Sequence, residues 1–128
     1  MQEYRVNCGE GMTEVVLTAR NMGEDLLVTL AAGKVHVGAV ALAVPVPRNA
    51  EGVTASVSVM TVPGHRDDIP AHAAALQICK AVARPVSLTA GLHIDNAAQE
   101  DINALLQNAQ GAVDKFIKIY ERSFNHGF

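Results

Sequence analysis

Three short segments of the sequence contain the histidine and aspartate residues that could do chemistry. They are His36-Val37-Gly38-Ala39-Val40-Ala41, Pro63-Gly64-His65-Arg66-Asp67-Asp68 and Gly91-Leu92-His93-Ile94-Asp95-Asn96. Imidazole nitrogen and carboxylate oxygen together suit a borderline divalent metal such as zinc, manganese or iron. Glycine lets a ligand approach the backbone closely. These segments predict a ligand or metal site that gathers His36, His65 and His93, although spacing alone does not determine whether His36 meets the other two.

The second and third segments each join a strand pattern to a helix pattern. Ligands of α/β sheets gather beyond the carboxyl ends of strands, where helix N-terminal N–H groups favour an anion such as phosphate. Along the strand before the last helix, polar positions alternate with apolar ones, so the polar set faces a site and the apolar set faces the core. The predicted cofactor-binding residues are His36, His65, Arg66, Thr89, His93, Asp95 and Asn96.

Several of these residues also have a purely structural explanation. Asp95 can cap the last helix beside Asn96, and His93 can be a satisfied, partly buried histidine. Asp67 and Asp68 can stabilise a helix start without any ligand. Arg66 can pair with a nearby carboxylate as readily as with a phosphate. The spacing alone leaves these alternatives open.

The elements that must position these residues are strands in the first half of the chain and helices in the second. Short connections between successive extended segments predict an antiparallel meander. A helix is expected from about 68 to 83, because Asp68 and Pro70 form a good helix start. Asn96 and Gln99 resemble a capping box for the last helix. The predicted strands are Tyr4 to Cys8, Glu14 to Arg20, Asp25 to Ala31, Val35 to Val44, Val53 to Val62 and Val86 to Ile94.

This layout predicts an α/β protein, in detail an α+β two-layer sandwich. Its sheet is mostly antiparallel, has about six strands, and carries two helices on one face. The 128 residues are the size of one domain, so residues 1–128 are expected to form a single domain. Two helices cover only one sheet face, and an apolar outer face is most simply covered by a second copy, which predicts a homodimer.

The charge, the cysteines and the motifs that are missing argue against several classes of function. The net charge of −3 has no long run of either sign, which argues against nucleic acid as a partner. Cys8 and Cys79 are far apart and do not have the spacing of a cysteine metal site. Cys79 is expected to lie on a helix, in the protein core. No apolar run is long enough to cross a bilayer and no targeting pattern is seen, so we expect a cytoplasmic protein without a membrane role. The sequence also lacks a nucleophile elbow, a phosphate-binding loop and a dinucleotide fingerprint.

The three histidine-containing segments, in this order and followed by a long final helix, resemble the prenylated-flavin chaperone LpdD-like family. The resemblance covers roughly residues 3 to 120. Members of this family are small accessory proteins of UbiD-type hydroxyarylic acid decarboxylases, such as gallate decarboxylase, and their domain is similar to the proteasome assembly chaperones.

The resemblance implies a non-catalytic chaperone that binds prenylated FMN, with a divalent metal ion, and helps to deliver it to a UbiD-type decarboxylase or to mature that enzyme. It assigns the binding role to the three histidines, with Asp68 and Asp95 as ligands or orienting residues. The shortage of aromatic residues is a departure from what a stacked flavin would favour. Two alternatives stay open: an assembly subunit without cofactor, and a small metal-dependent hydrolase that uses metal-bound water.

Overall fold

A computed structural model describes residues 2–48, 52–64 and 66–126, the last three of them by their backbone only. Six strands, a short 3-10 turn and two helices follow one another along the chain. The 3-10 turn, Gly11–Thr13, lies between the first two strands. The strands and helices are β1 (Glu3–Cys8), β2 (Val15–Met22), β3 (Asp25–Gly33), β4 (Ala39–Pro47), β5 (Val53–Thr61), α1 (Asp68–Val82), β6 (Val86–His93) and α2 (Gln99–His126).

The six strands form one mixed sheet in the order β1-β2-β3-β6-β4-β5. The predicted fold class is confirmed, since most pairs are antiparallel and both helices pack on one face. The predicted meander is wrong at one place: β6 is inserted between β3 and β4, parallel to β3 and antiparallel to β4. The crossover through α1 returns β6 to the middle of the sheet, where β3 and β4 pair with its two edges.

The predicted strand from Val35 to Val44 is shifted in the structure. The strand starts at Ala39 and continues to Pro47, so His36 lies in the loop before β4 and not on a strand. Pairing of β4 with β6 extends only from Ala39 to Ala43. Beyond Ala43 the edge of β4 that faced β6 has no partner strand. A proline lacks a backbone N–H, and on this open edge no hydrogen bond between strands is lost, so Pro45 and Pro47 are tolerated.

The core lies between the sheet and the two helices. α1 packs on β4, β5 and β6, whereas α2 packs on β1 and β2. The buried side chains of β4 that face α1 are alanines, and α1 packs alanines of its own against them. Because these side chains are short, the helix lies close to the sheet. Cys79 is fully buried on α1, as predicted, and burial raises the pKa of its thiol. The alanines of this contact are Ala39, Ala41, Ala43, Ala71, Ala74 and Ala75.

The start of α2 differs from the predicted capping box. Asn96 has a left-handed backbone (φ 56°) and lies outside the helix, which begins at Gln99. The carboxylate of Asp101 instead accepts a hydrogen bond from the backbone N–H of Ala98, at 3.0 Å. In a capping box, the side chain of the third helical residue accepts a hydrogen bond from the backbone N–H of the N-cap residue. Asp101 makes this bond, with Ala98 instead of Asn96 at the N-cap position. Within the described residues, neither helix has the length and apolar character needed to cross a bilayer.

Candidate functional site

One edge of the sheet brings together the three segments singled out in the sequence. The parallel strands β3 and β6 both end there, β4 begins there, and β5 ends there before α1. The loop that carries His36 therefore lies beside the segment that carries Asp67 and beside the end of β6 at His93. This is the edge at which α/β proteins commonly bind ligands.

Asp67 is the central residue of this edge. Its side chain is the one buried acidic group among the described residues, with 5% of its surface exposed. Oδ2 lies 3.1 Å from Nε2 of His36, and Oδ1 accepts a hydrogen bond from the backbone N–H of Leu92 at 3.1 Å. One carboxylate thus ties the β3–β4 loop and β6 to the start of α1.

Two glycines make this contact possible. A Cβ atom added to Gly38 would lie 1.7 Å from Oδ2 of Asp67, and one added to Gly91 would lie 1.7 Å from the backbone oxygen of His36. Both distances are far inside van der Waals contact, so any side chain at either position would push the segments apart. The glycines of the first and third segments therefore permit the contacts made by His36 and Asp67.

His93 and Asp95 form a second, exposed pair at the same edge. Nε2 of His93 lies 2.9 Å from Oδ1 of Asp95; the Asp95 side chain is largely open to solvent, and that of His93 is 41% exposed. The hydrogen bond from His93, followed by the positive charge of Lys34, lowers the pKa of the Asp95 carboxyl. The rings of His36 and His93 meet edge to face, with their centres 5.8 Å apart. The two pairs are therefore adjacent at this edge, which the spacing in the sequence left open.

The ring nitrogens of His36 are both directed at oxygen acceptors. Nδ1 lies 3.1 Å from the backbone oxygen of Lys34, and Nε2 faces Asp67. Both contacts are hydrogen bonds only when each nitrogen carries a hydrogen, whereas a metal requires a nitrogen without one. The described residues contain no group of three possible ligands. His65 lies outside the described residues, so the three-histidine metal site stays a prediction.

The other predicted residues are spread over the edge. Arg66 is exposed, and its Nε lies 3.4 Å from Oδ1 of Asp68, an oxygen that is itself buried and accepts no hydrogen bond from a described residue. Thr89 lies in the middle of β6 on the outer sheet face, between Thr29 and Val40, and away from the edge. Asn96 is exposed in the turn before α2.

An apolar cleft opens beside these pairs, between the start of α1, the end of β6 and the first turns of α2. Its volume is about 330 Å³. Arg66 and His93 lie on its rim, and the rest of the lining is mainly aliphatic. The lining comprises Gly64, Arg66, Asp67, Pro70, Leu92, His93, Ile94, Ala97, Ile102, Leu105 and Leu106. A cleft of this kind suits a ligand with a flat apolar part and an anionic part.

Neither helix N-terminus in the site suits a phosphate, contrary to our expectation from the sequence. α1 begins with Asp67 at its N-cap position and Asp68 in its first turn, and α2 has Glu100 and Asp101 in its first turn. These carboxylates satisfy or neutralise the positive helix ends, and one of them already accepts the Ala98 N–H. An anion that approaches either helix start therefore meets negative charge, and the expected phosphate contact there stays a prediction.

In the sequence alone, Asp67 is an ambiguous helix-start residue, and no pattern distinguishes Lys34. Asp67 follows His65 and Arg66 at the end of the second segment, so the signal was present but could not be separated from ordinary helix capping. Lys34 lies two residues before His36, and only the loop geometry shows that its charge acts on Asp95.

Comparisons with known proteins bear on both the fold and the family. A chain from the crystal structure of a novel chaperone complex for yeast 20S proteasome assembly superposes with a TM-score of 0.58, covering 95% of this chain and 98% of the other. The two sequences are 14% identical, so this likeness shows a shared fold. No curated protein matches the sequence. A family model matches residues 9–121, and the chain belongs to the family described as the prenylated flavin chaperone LpdD-like domain.

Proposed function

We propose that this protein is a non-catalytic chaperone that binds prenylated FMN and passes it to a UbiD-type decarboxylase. The family match over residues 9–121 carries this proposal. The structure supports it with one edge at which an apolar cleft, two histidines and exposed cations meet. A chaperone must hold its cargo and also release it, and an open edge site allows both.

The lining of the cleft fits the ring system of a prenylated flavin. Aliphatic side chains of β6 and α2, among them Leu92, Ile94 and Leu105, supply an apolar surface for the flat rings and the prenyl-derived part. The volume of about 330 Å³ is at the low end for a ligand site, so the cleft holds the rings and leaves the ribityl phosphate outside. His93, on the rim, is positioned to donate to a ring oxygen or nitrogen.

The His36–Asp67 pair holds the wall of this cleft in position. Because Asp67 is held by the Leu92 N–H and by His36, it fixes the cleft wall at Leu92 and the loop at Lys34. His93 and Asp95, being exposed, are free to exchange contacts with a ligand or with a partner enzyme. We therefore assign cofactor contact to His93 and Arg66, and positioning to His36 and Asp67.

Stoichiometric capture of the cofactor tests this function. Prenylated FMN is mixed anaerobically with the wild type, with His93→Ala and with the control His72→Ala, whose exposed histidine lies on α1 and does not line the cleft. Absorbance after gel filtration then gives the bound fraction. We expect one flavin per chain for the wild type and the control, and about tenfold weaker binding for His93→Ala. A wild type that retains no flavin overturns the proposal.

Activation of the partner enzyme is a separate readout. A UbiD-type apo-decarboxylase is given limiting prenylated FMN with and without this protein, and the rate of decarboxylation is followed over time. Faster or more complete activation is expected with the chaperone present. This assay tests delivery of the cofactor, whereas the gel-filtration experiment tests its binding.

The predicted divalent metal is kept as a narrower proposal that rests on His65. Elemental analysis of the purified protein, compared with His65→Ala, tests it directly. Equal and negligible metal content in the two proteins removes the metal from the site and leaves flavin binding untouched.

An assembly role is the second candidate, favoured by the outer face of β4. Val40, Leu42 and Val44 form a row of exposed aliphatic side chains on the sheet face opposite the helices. Such a row is the feature for which we expected a second copy of the chain. Sedimentation of the wild type and Leu42→Asp tests it: a dimer that becomes a monomer supports an interface there, and a monomeric wild type removes the homodimer.

A further inference from the structure

The edge of the sheet that carries the candidate site also carries most of the strongly exposed apolar side chains. Among the described residues, seven large apolar side chains have more than half of their surface exposed, and five of the seven lie at this edge. The other two are Met22, at the opposite end of the sheet, and Leu42, on the outer face of β4. Exposed apolar side chains are ordinarily scattered singly, whereas a concentration of them marks an interaction site. The five are Met12, Val35, Val37, Met60 and Ile69.

These five side chains come from segments that are held next to one another. Two of them belong to the loop between β3 and β4. The backbone N–H of Lys34 ties this loop to the end of β6, and the N–H of Val62 ties it to the end of β5, each by a hydrogen bond of 2.8 Å. Met60 lies one residue before the end of β5, Ile69 in the first turn of α1, and Met12 in the 3-10 turn before β2. The five residues therefore form one apolar band along this edge.

The apolar band is broader than the cleft and separate from its lining. In the order of the strands, β2 and β5 are four steps apart, and each step measures about 4.8 Å, so the band extends over about 19 Å. None of its five side chains lines the cleft. A cofactor bound in the cleft therefore leaves the band exposed. Covering the band requires the surface of another protein.

The position of the cleft indicates which protein this is. The cleft opens at the same edge, between the start of α1, the end of β6 and the first turns of α2, and Pro70 of its lining directly follows Ile69. A protein that covers the band therefore faces the cleft. A second copy bound there would face the cleft with its own band and oppose release of the cofactor, whereas an enzyme that receives the cofactor must reach this opening.

We propose that the apolar band is the surface by which the chaperone docks on the decarboxylase that receives its cofactor. This inference rests on the proposed function and names the surface used for delivery. Lys34, Arg66 and Asp95 are exposed at the same edge and add charged groups around the apolar side chains, which is the usual composition of a protein interface. The unbranched side chains of Met12 and Met60 are flexible and can adapt to the surface of a partner.

The affinity of substituted chaperones for a UbiD-type apo-decarboxylase tests this surface. It is measured by biolayer interferometry for the wild type, Met12→Asp, Met60→Asp and the control Met22→Asp, each loaded with prenylated FMN. Met60 and Met22 are 79% and 65% exposed, so the same change is made at two open positions at opposite ends of the sheet. We expect Met12→Asp and Met60→Asp to bind the enzyme about tenfold more weakly, because each places a charge in an apolar interface. Met22→Asp is expected to bind as the wild type does.

Capture of prenylated FMN is measured on the same four proteins. None of the three methionines lines the cleft, so each substituted protein is expected to retain one flavin per chain, as the wild type does. Retention of the flavin also shows that the substituted proteins are folded. The loss is therefore expected in binding to the enzyme and not in binding to the cofactor.

The outcomes that overturn the inference are distinguishable. If all four proteins bind the enzyme equally well, docking uses another surface and the proposed function stands. If sedimentation shows a wild-type dimer that Met60→Asp converts to a monomer, a second copy covers the band and the inference fails. If the wild type captures the flavin but does not bind the enzyme, docking and delivery fail and cofactor binding stands. If the wild type retains no flavin, the proposed function fails and this inference fails with it.

Discussion

The two strand-to-helix junctions have similar compositions and opposite roles. Both contain a glycine, a histidine and one or two aspartates, and both precede a helix. In the first, Asp67 is buried and accepts hydrogen bonds from the Leu92 N–H and from His36. In the second, Asp95 is exposed and its described partner is its near neighbour His93. The first junction therefore holds the edge together, and the second presents exposed groups at the same edge.

The difference shows that burial determines what a histidine–aspartate pair does. A buried carboxylate that loses a partner leaves unsatisfied groups without water, whereas an exposed pair exchanges its contacts with solvent at little cost. The same residue types therefore act as a structural tie in one junction and, in our proposal, as a binding group in the other.

Removal of the Asp67 carboxylate is expected to have the largest effect on stability. Asp67→Ala leaves the Leu92 N–H and a ring nitrogen of His36 without their acceptor, which costs about 3 kcal/mol of unfolding free energy. Urea unfolding followed by circular dichroism measures this loss. Asp95→Ala is the matched control and is expected to change the midpoint far less; equal losses in the two variants would show that the junctions do not differ as described.

A side chain at Gly38 is expected to break the same tie by overpacking. Gly38→Ala places a Cβ against Oδ2 of Asp67 and is expected to cost about 1–3 kcal/mol. The double variant Gly38→Ala/Asp67→Ala is expected to lose less than the sum of the two, because the clash disappears with the carboxylate. Strict additivity of the unfolding free energies would contradict contact between these residues.

Removal of the cap on α2 is expected to have a smaller effect. Asp101→Ala removes the acceptor of the Ala98 N–H and is expected to cost about 1 kcal/mol. Asn96→Gly is the control: glycine tolerates the left-handed backbone at this position, so the expected change is within about 0.5 kcal/mol. Should Asn96→Gly be the more damaging of the two, Asn96 would be the cap after all.

The smallest effect is expected in the titration of Asp95. Its pKa lies below the ordinary value because His93 donates to it and because Lys34 is nearby. A folded pKa below the unfolded one means that the pair stabilises the protein above the unfolded value and that this contribution is lost as the pH falls through the folded pKa. Carbon-detected NMR titration measures the pKa.

His93→Ala is expected to raise the pKa of Asp95 more than Lys34→Ala does, following the order of the two causes. Lys118→Ala, on the exposed side of α2, is the control and is expected to leave the titration where it is. An unchanged titration in His93→Ala would show that the pair does not form in solution.

Much of the fold could be predicted from the sequence. Alternation along β5 and β6 and the apolar stripe of α2 depend only on local periodicity, and these elements were predicted close to their observed bounds. The insertion of β6 between β3 and β4 could not be predicted, because strand order depends on contacts between residues far apart in sequence. The start of β4 was misplaced because Val35 and Val37 continue an apolar pattern into a loop where both are exposed.

The sequence by itself determined that two of the three histidine-containing segments join a strand to a helix, since residue type and periodicity are local properties. Only the tertiary structure decided that Asp67 joins its own segment to the other two. Gly38 and Gly91 illustrate the same limit: their types are visible in the sequence, but the atoms that exclude a side chain there belong to Asp67 and His36. Burial and close approach between distant segments arise only when the sheet is assembled, and they decide which charged groups are ties and which are free to bind.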